Sequence, residues 1–519
     1  VAAQISENQR TIFAPMEKVS ITTLQPEHYK ELLDAMKAAY PDWAGSYWQR
    51  GTIEHLLRVF PEGQYIVLVD DKVVGCALSI IVDYEKYGDN HTYEQITGNY
   101  TFNTHDPDGD VLYGIEVFID PAYRGLRLGR RLYDARKELC EHLNLRAIVF
   151  GGRIPNYHEH ADRMSPREYI SKVRMKEIHD PVLNFQLSND FHVKKILRNY
   201  MPNDEQSQEH ATLLQWDNIY YQRDDRPMPP RKTYARLGLV QWQMRPYRNL
   251  DELFVQAEYF VDMISAYKGD IAVFPEFFNA PLMAEHNHLR EAEAIRLLAR
   301  HSDAIRERFS ELAVRYNVNI VTGSLPELDG ERLYNAGYFC HRSGKSERYV
   351  KIHVTPDEAK YWAISGGHTL QVFDTDVGKV GVLICYDSEF PELGRLLAEQ
   401  GMQILIVPYL TDTQNAYMRV RHCSQSRAIE NECYVAITGS VGNLPQVENM
   451  DLQYSQSAVL TPCDFAFPSN GVKAEATPNT EMVLIADVDM ELLSELHFHG
   501  SVRNMRDRRK DFYDLRFTQ

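Results

Sequence analysis

Three apolar runs in the C-terminal half of this chain each stop abruptly at a chemically active side chain, and this pattern restricts the fold more than any other feature. Val380-Gly-Val-Leu-Ile384 is long enough for one buried strand and ends in Cys385-Tyr386-Asp387-Ser-Glu-Phe-Pro391-Glu392. Pro391-Glu392, followed by Leu393, Leu396 and Leu397, predicts a helix start with an apolar stripe. Cys385 therefore falls between a strand and a helix, where a sharp turn presents a side chain and unbonded backbone N–H groups lie close by. A lone cysteine is more often a small buried hydrophobe than a nucleophile. Two further stretches shift that balance. Ile271-Ala-Val-Phe-Pro-Glu276 ends a strand in a carboxylate, and Tyr349-Val-Lys351-Ile-His ends one in a lysine. Strand ends can gather at one edge of a sheet, so Glu276, Lys351 and Cys385 are expected to meet.

These residue types suit attack on an amide carbonyl. A thiol with a pKa near ~8.5 is only a few per cent thiolate at neutral pH, so it needs a base. Glu276 can take the thiol proton and return it to the departing amine. Lys351 offsets the repulsion between carboxylate and thiolate and stabilises the oxyanion, with the Tyr386 N–H as a further donor. The plain structural reading of Glu276 and Lys351 is an ion pair at the sheet edge. The order Glu-Lys-Cys and the local sequences around it resemble the nitrilase, or carbon–nitrogen hydrolase, superfamily. Ser426-Arg-Ala-Ile-Glu-Asn431 is similar to that family's RAxEN helix. The resemblance runs from about Tyr234 to the C-terminus and implies an αββα sandwich that needs no cofactor. It also implies a second glutamate after the lysine: Glu358 is the best match, with Asp357 open. Tyr386, Tyr409, Thr411 and Asp412 are the expected pocket residues. The tail Arg503–Tyr513 is expected to contact a neighbouring subunit in a homodimer or higher homo-oligomer.

At 519 residues the chain is too long for one ordinary core, and two domains are expected. No apolar run approaches the length of a membrane span. The net charge of −17 disfavours nucleic acid as a partner, since phosphate contacts need a basic surface. Seven scattered cysteines do not form a disulfide framework, and the start at Val1 has no signal-peptide core and no Met, so a processed or incomplete start and a cytoplasmic location are expected.

The N-terminal half reads as an arm over residues 1–16, a domain over 17–220 and a Pro-rich, charged linker over 221–233, before the hydrolase-like domain at 234–519. Strands are expected at Tyr65–Val69 and Val73–Ile80, joined by an Asp70-Asp71 turn. A polar insertion from Asp83 to Asp110 reads as a loop over a site. Leu112-Tyr-Gly-Ile-Glu116-Val117-Phe-Ile119 reads as a strand, followed by the basic loop Arg124-Gly125-Leu126-Arg127-Leu128-Gly129-Arg130 and a helix marked by Leu132, Ala135 and Leu139. Backbone N–H groups at such a helix start attract anions, although basic glycine loops serve many ends. This stretch, with the elements around it, resembles the acyl-CoA loop of the GNAT acetyltransferases. The resemblance implies acetyl-CoA as cofactor, its pyrophosphate on residues 124–130 and its pantetheine along the strand at Val117 and Ile119. It departs from the R/Q-x-x-G-x-G/A pattern at Arg127, which occupies the first glycine position. Glu116 is either an acid or base acting on an amine acceptor or an outward-facing strand residue. His158-Glu-His160-Ala-Asp162 has two histidines at strand spacing and no third ligand nearby, so no metal is expected.

The expected fold is thus α/β in two domains, a GNAT-like mixed domain and a nitrilase-type sandwich. The expected function is an amidase-type hydrolase acting through a thioester, fused to a CoA-dependent N-acetyltransferase-like domain. The alternative is an N-carbamoyl amine hydrolase or nitrilase whose GNAT-like domain is a noncatalytic CoA-binding regulatory module. The hydrolase substrate in either reading is a small amide, nitrile or carbamoyl compound.

Overall fold

The computed structural model describes residues 18–41, 47–221, 233–445, 447, 450–513 and 515–517. The expected arm and nearly all of the expected linker lie outside the described residues. The chain divides into two compact units, Val1–Arg231 and Lys232–Gln519.

The first unit begins β1 (Val19–Thr23), α1 (Tyr29–Ala39), α2 (Arg50–Val59), β2 (Gln64–Val69), β3 (Lys72–Val82) and α3 (Tyr93–Thr97). It continues β4 (Val111–Ile119), α4 (Leu128–His142), β5 (Ala147–Arg153), α5 (Pro166–Arg174), α6 (Pro181–Leu187), β6 (His192–Leu197) and β7 (Ala211–Asp217). The seven strands form one sheet in the order β1-β2-β3-β4-β5-β7-β6. Asp70 and Asp71 take φ of 49° and 61°, the two left-handed residues that let a two-residue turn follow the twist of β2 and β3. The parallel pair β4–β5 is paired only from Val111↔Ala147 to Tyr113↔Val149. Beyond Tyr113 the two strands part, and a bulge opposite Leu78 and Ser79 bends β4 there. Arg136 of α4, buried behind the bulge, bonds Ser79 Oγ and the carbonyls of Leu78 and Glu116. It satisfies backbone groups that the bulge takes out of the ladder.

The insertion expected to be a loop contains α3 and a packed core, with Tyr93, Ile96 and Phe102 all buried. Its polar residues are spent locally: Thr92 and Gln95 cap α3 reciprocally, and the hydroxyls of Thr97, Thr101 and Thr104 bond nearby carbonyls.

The second unit begins β8 (Tyr234–Met244), α7 (Leu250–Ala266), β9 (Ile271–Val273), α8 (Glu291–Leu298), α9 (Ser302–Tyr316), β10 (Asn319–Val321), β11 (Leu325–Asp329), β12 (Arg332–Cys340), β13 (Ser346–Val350) and β14 (Ile364–Ser365). After β15 (Val372–Thr375) and β16 (Gly378–Val382) come α10 (Pro391–Glu399), β17 (Ile404–Tyr409), α11 (Gln414–Glu430) and β18 (Tyr434–Asn443). The short β19 (Leu452–Gln453), β20 (Ala458–Leu460) and β21 (Val472–Glu475) precede β22 (Met482–Asp489) and α12 (Met490–His499). Strand order is β11-β12-β10-β9-β8-β18-β17-β16-β15. Strand β8 belongs to both halves of this path: Leu237–Leu239 pair with β9, and Trp242–Met244 pair with β18.

Alternation along β8–β10 fixes the layers. Leu237, Leu239, Ile271, Val273 and Val321 join a core with β16, β17 and β18, whereas Val240, Trp242, Ala272, Phe274 and Ile320 pack with α7 and α9. Helices α10 and α11 bury Leu393, Leu397, Val420 and Ala428 on the other half. The result is helix–sheet–sheet–helix. Between α8 and α9 the chain passes through a 3₁₀ turn, Ala299–His301, beside which Ser302 Oγ lies 2.6 Å from the Ala299 carbonyl and 2.7 Å from that of Pro326. The tail Arg503–Tyr513 lies along its own chain, with Arg508 paired to Glu399 of α10 and Asn504 bonded to the Ile429 carbonyl of α11.

Candidate active sites

The hydrolase-like site forms where β9, β13 and β16 end. After Pro275, Glu276 makes a one-residue bridge to Ser324 and Phe277 turns into the left-handed region at φ 49°. The turn is tight because Gly323, at φ 69°, lies against the carbonyls of Pro275 and Phe274, where a Cβ would overlap both. Lys351 follows β13 directly, and its N–H donates to the Asn335 carbonyl at 2.9 Å. Cys385 opens a short 3₁₀ turn, Cys385–Glu389, at φ 47°, a strained conformation for a non-glycine residue. Arg427 of α11 holds that turn by donating to the Ser388 carbonyl at 3.1 Å.

Lys351 Nζ lies 2.9 Å from Glu276 Oε1 and 3.0 Å from Glu358 Oε1. All three side chains are buried, at 2%, 2% and 3% exposure for Lys351, Glu276 and Glu358, so an unpaired charge here would be costly. Of the two expected candidates, Glu358 is buried against Lys351 and Asp357 is exposed. Glu358 opens the single π-helical turn Glu358–Trp362, and its Oε2 accepts from the Thr355 N–H at 2.8 Å. Asn335, in the interior of β12, is a site residue that no motif in the sequence marks. Its Nδ2 donates to Glu276 Oε1 at 2.8 Å and Glu358 Oε1 at 2.9 Å. Two acceptor oxygens fix the orientation of this amide. Leu410 links Glu276 and Cys385: its N–H donates to Glu276 Oε2 at 2.9 Å, and its carbonyl accepts from Cys385 Sγ at 3.8 Å.

Burial pushes the Glu276 carboxyl up and Glu358 adds to this, while Lys351 and Asn335 oppose. Burial would raise Glu358 too, but Lys351, the Thr355 amide and Asn335 outweigh it and hold Glu358 low. Burial also disfavours the Lys351 cation, and the surrounding negative groups, Glu276 first, hold it protonated. The Cys385 thiol is pushed well up by burial and by Glu276, against the pull of Lys351. The site thus sets a thiol whose charged form is disfavoured beside a buried carboxylate and a buried lysine cation.

The pocket residues divide. Tyr386 is half-buried, with its ring edge-on to Phe390. Tyr409 is fully buried and bonds Ser455 Oγ at 2.8 Å, and Thr411 Oγ1 donates to the Tyr454 carbonyl. Those two hydroxyls are taken up by these bonds.

In the first unit, Val117 and Ile119 lie on the part of β4 that has left β5, and both are half-buried. Glu116 sits at the bulge, and its Oε1 accepts from the Tyr40 hydroxyl at 2.9 Å. Burial raises its carboxyl, against the bonds from Tyr40 and the Val117 amide. Arg127 caps α4 in the left-handed region at φ 53°, so it adopts the backbone shape of the glycine it replaces. Gly125 is also left-handed, at φ 91°. The first-turn amides of Leu128 and Gly129 have no intrahelical acceptor by construction. Gly129 faces the Phe185 ring at 2.7 Å from a built Cβ, so a side chain there would disturb packing rather than point at a ligand. His158 is on a 3₁₀ turn, not a strand, and its Nδ1 bonds the Pro155 carbonyl at 2.7 Å.

The carbon-nitrogen hydrolase family matches residues 236–498, and the acetyltransferase (GNAT) family matches residues 26–162. The chain belongs to the carbon–nitrogen hydrolase, or nitrilase, superfamily and carries a GNAT acetyltransferase domain ahead of the hydrolase domain. It is similar along nearly its whole length to the "Probable hydrolase YhcX" of Bacillus subtilis (strain 168), 40% identical over 508 residues, 97% of this chain and 98% of the relative. The N-terminal half is similar to the uncharacterized N-acetyltransferase YkwB of the same strain, 30% identical over 176 residues, 34% of this chain and 77% of the relative. The C-terminal half is similar to the omega-amidase NIT2 of Xenopus tropicalis, 28% identical over 288 residues, 54% of this chain and 97% of the relative. Among the described residues no helix is long and apolar enough to cross a membrane.

Proposed function

We propose that the second unit is an amidase that works through a Cys385 thioester. The observation that carries the proposal is the buried set in which Lys351 bridges Glu276 and Glu358 while Leu410 connects Glu276 to Cys385. Sulfur attacks the amide carbonyl as the thiol proton passes to Glu276, and Lys351 and the Tyr386 N–H steady the oxyanion. Glu276 returns the proton to the nitrogen as the C–N bond breaks. Water then attacks the thioester, losing a proton to Glu276; the C–S bond breaks, the carboxylic acid leaves, and Glu276 returns the proton to the Cys385 sulfur. Because relatives carry the name omega-amidase, terminal carboxamides come first in the test: ammonia release by the full chain from amides, with nitriles and N-carbamoyl amines alongside. Turnover confined to nitriles or carbamoyl compounds would replace this reading.

For the first unit, the proposal is an N-acetyltransferase fold that takes acetyl-CoA, with the pyrophosphate on the amides of Arg124–Arg130, the pantetheine beside Val117 and Ile119, and Glu116 as base toward an amine. The parting of β4 from β5 beside the start of α4 supports it. Calorimetry of the full chain should detect acetyl-CoA binding that weakens with salt, as a phosphate contact requires. No heat at millimolar cofactor would remove it. Binding without acetyl transfer to any amine would favour a regulatory module.

A further inference from the structure

Lys351 and Cys385 reach the site from different sides of the sandwich, Lys351 after β13 and Cys385 after β16, so their separation depends on whatever ties those two strand ends together. Asp387, two residues beyond Cys385, is 1% exposed and accepts three hydrogen bonds. They come from the Ile352 N–H at 3.0 Å, the His353 N–H at 2.7 Å and His353 Nδ1 at 3.0 Å. A carboxylate oxygen only accepts, so Nδ1 carries the ring proton. The two backbone donors are the residues immediately after Lys351. Asp387 is in turn rigid with the nucleophile: its N–H donates to the Ile384 carbonyl at 3.0 Å, and Ser388 Oγ donates to the Cys385 carbonyl at 2.7 Å. The His353 ring lies flat on Phe390, with centroids 3.5 Å apart and planes within 5°, which seats the Lys351 segment against the start of α10.

We infer that Asp387 is a positioning residue: its carboxylate spans the two strand ends and fixes the Lys351 ammonium relative to the Cys385 sulfur. This rests on the roles of Glu276, Lys351 and Cys385 given above. A carboxylate that merely capped the Cys385 turn would need one backbone donor from that turn. All three donors come instead from the opposite segment, so loss of Asp387 releases Lys351 before it unfolds the turn.

The test uses the full chain and needs no substrate. Iodoacetamide labelling of Cys385, followed by peptide mass spectrometry across pH, reads how strongly Lys351 favours the thiolate. In Asp387→Asn the midpoint for labelling should rise on the order of one unit, because a displaced ammonium stabilises the thiolate less. With an amide substrate, kcat should fall on the order of 10²-fold with KM little changed, the size of effect a small misplacement produces. Asp387→Glu should recover part of both. An unchanged labelling profile in folded Asp387→Asn overturns the inference. If Asp387→Asn does not fold, Asp387→Glu decides: a raised midpoint supports the role, and a wild-type profile removes it. Should the wild type hydrolyse no amide, the amidase reading fails, and the labelling arm still judges this one.

Discussion

Asn335 gives both of its amide hydrogens to carboxylates that share one lysine, and it stabilises their charged forms. Glu276 can act as base only while ionised, and burial lifts its carboxyl above the usual value near ~4.3. The acid limb of kcat/KM should therefore have its midpoint above that value, with activity lost as pH falls through it. Asn335→Leu removes a donor to the ionised form, so the limb should move to higher pH. A pH–rate profile that stays in place would detach Asn335 from the base. Glu276→Gln keeps the shape and loses the proton acceptor, with an expected drop on the order of 10²–10⁴ in rate. At this scale the sequence was uneven. Glu276, Lys351 and Cys385 were legible because each interrupts an apolar run at its end. Asn335 was not, because it sits mid-strand in Arg332–Cys340, where a polar residue has the alternation of an ordinary strand, and its partners are 59 and 23 positions away.

At the scale of elements, the turn that carries Glu276 depends on a neighbouring strand end. Gly323 combines a left-handed φ with contact against the backbone of Phe274 and Pro275, and neither can yield by a side-chain rotation. Gly323→Ala should destabilise the second unit by about 2–4 kcal/mol and displace Glu276, lowering both melting temperature and turnover. Unchanged melting would show that the loop is slack. Arg127 is the opposite case, a non-glycine in a glycine conformation that costs about 1–2 kcal/mol. Arg127→Gly should keep the fold and retain acyl-CoA binding with a shallower salt dependence, read by calorimetry. The strands and most helices were legible from periodicity and from turn residues such as Asp70-Asp71. The 83–110 segment was misread because its polar side chains satisfy local backbone and leave Tyr93, Ile96 and Phe102 free to pack. The 3₁₀ turn at Ala299–His301 carries no signal in the local sequence, since Ser302 Oγ meets the carbonyl of Pro326, 24 positions away.

At the scale of the molecule, each unit has its own sheet and its own hydrophobic core. The composition shifts around Pro227, Pro229 and Pro230, and the two compact units divide at Arg231 and Lys232. Hydrolysis as proposed passes through a covalent bond to Cys385. Intact-mass spectrometry of the full chain, quenched during turnover of an amide, detects that bond. The prediction is an added mass equal to the acyl group, mapped to Cys385, which disappears in a Cys385→Ala variant that folds normally and releases no ammonia. Turnover by Cys385→Ala, or an adduct that maps to another residue, would contradict it.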